Sequence, residues 1–289
     1  MEPVTAPTPA QRPAEKPLLI ASDIDGTFIT SADRVTPRLR DVVMRARREG
    51  AEIALVTGRP HRWLYPVLDQ LPFRPVCITA NGAVMFDSAT EEIVTRHELA
   101  PQTMRDVVKQ ARKALYDATS GSLALAVERV GADAFASDEE CFAVTKEYVH
   151  TWAAGGFAVE TDEEITSQPA VKLLLRNPDM TAPEMHRIIA PWIDPAQAHV
   201  TYSMNEGLLE VAVPGVNKAL GVRALCELHD VPRERTVAFG DMANDIEMLE
   251  WVNFGVAMGN ANPEVKAVAD FVGPTNDENG VAEVLEWWF

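Results

Sequence analysis

Leu18-Leu19-Ile20-Ala21-Ser22-Asp23-Ile24-Asp25-Gly26-Thr27 is the stretch that decides how this chain is read. Four apolar residues without polar alternation suit a strand buried on both faces, as in a parallel sheet. The run then stops at once in two carboxylates and a glycine. Asp23 and Asp25 are two positions apart, a spacing that points both side chains to one side of an extended chain. Gly26 lets the backbone turn sharply and present N–H groups to an anion. Taken alone, the motif is also compatible with a solvated turn.

The same rhythm continues outward from this strand. Thr36-Pro37 opens a helix that runs to Arg48 and stops at Gly50, with a capping residue, a proline in the first turn and a glycine at the exit. Ile53-Ala54-Leu55-Val56 is a second buried strand ending in Thr57-Gly58-Arg59-Pro60, followed by a further helix. Val76-Cys77-Ile78-Thr79 is a third strand, ending in Asn81-Gly82. Near the C-terminus, Asn217 to Asp230 predicts a helix. Thr236 to Phe239 predicts a strand ending in Gly240-Asp241, Ala243 to Trp251 a helix, and Phe254 to Met258 a strand. Strand alternating with helix predicts an α/β fold, a doubly wound, Rossmann-like parallel sheet. The intervening residues mix hairpin, helix and strand patterns and predict an inserted α+β cap domain. The expected division is a tail over 1–16, a core over 17–83 and 206–289, and a cap over 84–205.

The chain has 289 residues, 47% hydrophobic and 24% charged, enough for about two ordinary globular cores. Its 43 acidic residues against 26 Lys and Arg give a formal charge of −17. Such a surface repels nucleic acid and anionic membranes, so neither is an expected partner. Cys77, Cys141 and Cys226 are scattered and odd in number, which supports neither a disulfide framework nor a zinc cluster and fits a cytoplasmic protein. Met1 to Lys16, with Pro3, Pro7, Pro9 and Pro13, reads as a flexible tail. Trp287-Trp288-Phe289 is expected to pack the last helix onto its own domain. His97-Glu98 lacks the second histidine of a zinc-protease helix, and neither a Walker A loop nor Gly-x-Gly-x-x-Gly occurs.

Asp241 and Asp245, four residues apart with Asn244 between them, follow a buried strand. One carboxylate there can cap a helix; two with an asparagine exceed that need and make a hard, oxygen-only site suited to Mg²⁺. Thr57 alone fits a helix cap, and Lys218 alone fits a solvated lysine. Convergence changes the weighing. Asp23, Thr57 and Asp241 all fall at carboxyl ends of predicted strands, where ligands gather in such sheets.

Asp23-Ile24-Asp25-Gly26-Thr27, Thr57-Gly58-Arg59, Lys218 and Gly240-Asp241-Met242-Ala243-Asn244-Asp245 together resemble the four motifs of the haloacid dehalogenase (HAD) superfamily. The resemblance is to Cof-type phosphatases with a large α/β cap between the second and third motifs. Asn81-Gly82-Ala83, Leu209-Glu210-Val211, Gly255 to Ala261 and Asn276 to Ala282 extend it from Pro17 onward. Phe28 stands where the family usually has Leu.

The resemblance implies Mg²⁺-dependent hydrolysis of a small phosphorylated metabolite, a sugar phosphate or phosphorylated cofactor, through an aspartyl-phosphate. Asp23 would be the nucleophile and Asp25 the general acid and base. The metal would be held by Asp23, the backbone carbonyl of Asp25, Asp241 and Asp245. Thr57, Lys218 and the backbone around Gly26 and Gly58 would hold the phosphoryl group, Asn244 would support Lys218 or bind a phosphate oxygen, and Arg59 and Asn81 would face the cap and the substrate's leaving group. The cap would close over the site, and Arg129, His150, Lys172 and Arg176 are its candidates for touching substrate, Lys172 foremost. A phosphotransferase or mutase of the same fold and a non-catalytic metabolite-binding module are the alternatives.

Overall fold

A computed structural model describes residues 12–119, 121–131, 135–149 and 156–289. In chain order the strands are β1 (Leu19–Ser22), β2 (Glu52–Val56), β3 (Val76–Thr79), β4 (Val84–Asp87) and β5 (Glu92–Arg96). They continue with β6 (Ala124–Glu128), β7 (Phe142–Val144), β8 (Ala158–Val159), β9 (Lys172–Thr181), β10 (His199–Thr201) and β11 (Glu206–Ala212), and end with β12 (Thr236–Gly240), β13 (Phe254–Ala257) and β14 (Phe271–Val272). Two compact units result, one built from residues up to Glu91 and from Asn217 on, the other from Glu92–Val216.

In the first unit the sheet runs β14-β13-β12-β1-β2-β3-β4. All neighbours are parallel except β3 and β4. Ser22 lies level with Phe239 on one side and Leu55 on the other, so the strands finish on a common rim. Leu19, Ala21, Ala54, Val56 and Ile78 pack against Val222, Leu225, Met248 and Leu249 of the helices Lys218–Leu228 and Ile246–Trp251. Helix Pro37–Arg48 packs against β2 and helix Gly280–Leu285. It begins where the Thr36 hydroxyl accepts the Leu39 N–H, and it buries Leu39, Val42, Val43 and Ala46, spaced for one helix face. This is the doubly wound sheet that the apolar runs predict.

The helix expected after Pro60 is shorter than the sequence suggests, a 3₁₀ turn His61–Trp63 and one turn Tyr65–Leu68, with Pro66 in its first turn. The expected tail also needs correction. Residues 1–11 lie outside the described residues, but Arg12 stacks 4.0 Å from the Trp287 ring, and the Trp288 indole donates to the Pro13 carbonyl at 2.9 Å. Trp287 in turn packs on Phe254 and Phe271, the inward role expected of the C-terminal aromatics.

The second unit is a sheet ordered β10-β11-β9-β6-β7-β8, antiparallel except between β7 and β8, with helices Pro101–Thr119 and Ala182–Ile189. The unit boundaries fall at 91/92 and 216/217, where the sequence expectation was 83/84 and 205/206. Val84–Asp87 pairs with β3 and Glu206–Ala212 pairs with β9, and both of these pairings fall within one unit.

Candidate active site

The rim of the parallel sheet collects the acidic residues. The Asp23 N–H donates to the Phe239 carbonyl at 3.0 Å, fixing the first motif beside the strand that ends at Gly240. The chain then turns through Gly26, whose φ of +71° favours glycine. Asp241 follows β12, and Asp245 folds back so that its Oδ2 accepts the N–H groups of Asp241 and Met242, each at 3.0 Å.

Asp23, Asp241 and Asp245 are all buried, with one carboxylate oxygen of each lying within 4.8 Å of the others. Lys218, fully buried, bridges two of them, its Nζ standing 2.6 Å from Asp23 Oδ1 and 2.6 Å from Asp245 Oδ1. Helix Lys218–Leu228 delivers that ammonium from its first residue, behind the Asn217 cap. Thr27 donates to Asp241 Oδ1 at 3.0 Å. Burial pushes the Asp23 carboxyl well above the ordinary aspartate range, with Lys218 opposing and the other carboxylates adding to the rise. Burial, then Asp245, lifts Asp241 to about 7, against the Thr27 hydrogen bond and Lys218. For Lys218 burial disfavours the charged form, yet Asp23 and Asp245 outweigh it and its pKa rises. Three carboxylates share one ammonium: the cation is oversupplied with anions, and the anions lack positive charge.

Asp25 is placed differently. Its side chain is 53% exposed and forms a forked pair with Arg59, the Nε donating to Oδ2 at 2.8 Å. The spacing that would point Asp23 and Asp25 to one side of an extended chain therefore does not hold here, because the turn at Gly26 leaves the Asp25 carboxylate on the Arg59 side. Thr57 is buried and its hydroxyl accepts the Arg59 N–H at 3.1 Å, the local capping role its sequence context allows. Gly58 lies within this turn. The Thr57 carbonyl accepts the Asn81 N–H at 3.0 Å, and the Asn81 side chain accepts from Asn244 Nδ2 at 3.0 Å. Asn81 and Asn244 are thus joined to each other.

Asn260 was not singled out from the sequence as a site residue. Its amide donates to the Gly26 carbonyl at 2.8 Å, tying the first motif to the turn after β13. The available signal was its place after a buried apolar run, the same pattern that marks Asp23 and Asp241.

A sequence model of haloacid dehalogenase-like hydrolases matches residues 20–285. The chain belongs to that family. As a HAD protein it is 30% identical to the 5-amino-6-(5-phospho-D-ribitylamino)uracil phosphatase YitU of Bacillus subtilis, over 95% of this chain and 98% of that one. It is 29% identical to the phosphatase YwpJ of the same organism, over 93% and 98% of the two chains. The fold is similar to that of BT1666 from Bacteroides thetaiotaomicron, described as a HAD phosphatase, with a TM-score of 0.75, 23% identity and 98% coverage of both chains. Family membership makes the protein a hydrolase of the phosphatase type. Among the described residues, no helix is long and apolar enough to cross a membrane.

Proposed function

We propose that the protein hydrolyses the phosphate monoester of a small metabolite through an aspartyl-phosphate on Asp23, with Mg²⁺ as cofactor. One observation carries the reading: three buried carboxylates with oxygens within 4.8 Å of one another, short of positive charge. Their donors are all hard oxygens, a set that fits Mg²⁺. Asp23, Asp241, Asp245 and the backbone carbonyl of Asp25 would hold it. Bound there, Mg²⁺ supplies the positive charge that lets an anionic nucleophile meet a phosphate dianion.

A carboxylate oxygen of Asp23 attacks phosphorus, the bond to the ester oxygen breaks, and Asp25 protonates the departing alkoxide. Asp25, now ionised, takes a proton from water as the water oxygen attacks phosphorus. The bond to Asp23 then breaks, inorganic phosphate leaves, and both carboxyl groups are restored. Asp25 must first leave Arg59, and opening such an exposed pair costs about 0–1 kcal/mol. Lys218, already against Asp23, and Thr57, with the backbone N–H groups around Gly26 and Gly58, hold the phosphoryl oxygens. Arg59 and Asn81 would face the leaving group, and Asn244, whose side chain meets Asn81, would bind a phosphate oxygen.

YitU is named for a phosphorylated ribitylaminouracil, which supports a sugar phosphate or a phosphorylated cofactor as the substrate class. A cytosolic location accords with the buried thiols of Cys77, Cys141 and Cys226, which form no disulfide. Burial lifts Cys77 to about 12 and Cys226 to about 11, which keeps both thiols protonated and unreactive. The decisive experiment is hydrolysis of 4-nitrophenyl phosphate by purified wild-type and Asp23→Asn protein, each with Mg²⁺ and with a chelator. Turnover is expected only from wild type with Mg²⁺, at equal folded content. Equal turnover by the Asp23→Asn protein would refute the nucleophile.

A further inference from the structure

One face of the second unit's sheet buries charge. Lys172, Leu174 and Arg176 alternate along β9 and so share a side. The apolar surround on that face includes Phe142, Tyr148, Leu174 and Leu208, and no residue of the helices Pro101–Thr119 or Ala182–Ile189 is among its cluster. Register sets Ala124 of β6 and Leu208 of β11 opposite Arg176. Neither side chain carries a hydrogen-bond acceptor.

Arg176 is only 6% exposed, and its Nε and Nη1 have no hydrogen-bond partner among the described residues. The other buried cations of this unit, Lys172 and Arg129, each reach a carboxylate, while Arg129 Nε too has no hydrogen-bond partner among the described residues. Lys172 donates to Glu210, and Glu128 lies opposite it in register. Arg129, a candidate from the sequence, forks onto Glu160 at 3.1 and 2.9 Å. His150, the remaining candidate, lies outside the described residues. Leaving a buried N–H without an acceptor costs about 1–3 kcal/mol, and an apolar side chain of similar volume would avoid it.

Tyr148 supports the same reading. Burial raises its phenol pKa well above the ordinary value, and the Arg176 charge is near enough to oppose that rise. Its O–H therefore stays protonated close to the guanidinium. Glu210, also near Tyr148, is engaged by Lys172 and Ser203. Donors converge beside Arg176, while the carboxylates of this face are committed elsewhere.

We propose that Arg176 anchors an oxyanion site on this face, taking a carboxylate or phosphate group of a small molecule. The group belongs to a free anion, whatever reaction the first unit performs.

The test is calorimetry on the full-length protein with malonate and with inorganic phosphate, for wild type and Arg176→Gln. Wild type is expected to bind, and binding weakens at least tenfold in the variant, converted from the about 1.5–3 kcal/mol of a charge-assisted hydrogen bond. Arg176→Lys, which keeps the charge, is expected to lie between them and serves if Arg176→Gln does not fold. A wild-type protein that binds neither anion overturns the proposal, and so does equal binding by wild type and a folded Arg176→Gln.

Discussion

Gly26 lies against Asp241 so closely that a Cβ at residue 26 would stand 2.4 Å from a carboxylate oxygen of Asp241. The first motif and the carboxylate after β12 therefore share one small volume, and both the contact and the positive φ demand glycine. Gly26→Ala is expected to displace Asp241 or twist the turn. Divalent-cation affinity should fall about 10- to 100-fold, as for other groups that orient metal ligands. Titration calorimetry with Mg²⁺ checks this, and unchanged affinity would mean that Asp241 has no part in holding the ion.

The shortage of positive charge around the three carboxylates predicts opposite effects of one substitution with and without metal. Asp241→Asn removes a repelling charge, so the chelated variant should melt no lower than chelated wild type. Wild type should gain about 2.7 kcal/mol of stability when Mg²⁺ reaches 100 times its dissociation constant, and Asp241→Asn almost none. Thermal melts with and without Mg²⁺ read both signs.

Lys218→Met leaves Asp23 and Asp245 without their ammonium. Breaking a buried ion pair from one side costs about 3–5 kcal/mol, so the urea midpoint should drop sharply. A fall below about 1 kcal/mol would show that the contacts at 2.6 Å contribute little to folding.

Thr36 caps helix Pro37–Arg48 through the Leu39 N–H at 3.2 Å, and its hydroxyl also meets the Asn279 side chain. Thr36→Ala is expected to lower stability by about 1 kcal/mol, while Thr36→Ser should restore most of it. Urea denaturation of the two variants distinguishes a lost cap from lost packing of the methyl group.

Legibility in the sequence followed the range of the interaction involved. Asp23, Thr57 and Asp241 were readable because each directly follows a short apolar run, and parallel strands finish on one rim. The Asp25–Arg59 pair was not, since it depends on how the backbone turns at Gly26. The unit boundaries shifted because Val84–Asp87 and Glu206–Ala212 are ordinary strand sequences whose membership is set by the strand each one pairs with. Lys172 and Arg176 show the same limit. Both are charged residues on alternate positions of β9, and only the cross-strand neighbours, Glu210 and Glu128 against Ala124 and Leu208, tell the satisfied cation from the other.

Gly82 faces the Asn217 carbonyl so closely that a Cβ there would stand 2.1 Å from it, and its φ is +96°. The two points where the polypeptide departs from and rejoins the parallel sheet are therefore neighbours in space. An excursion that ends where it began can be lengthened, shortened or traded for another by recombination of the intervening coding segment, leaving the catalytic frame in register. The architecture in this way lets the inserted unit diverge on a timetable separate from that of the sheet that carries the three carboxylates.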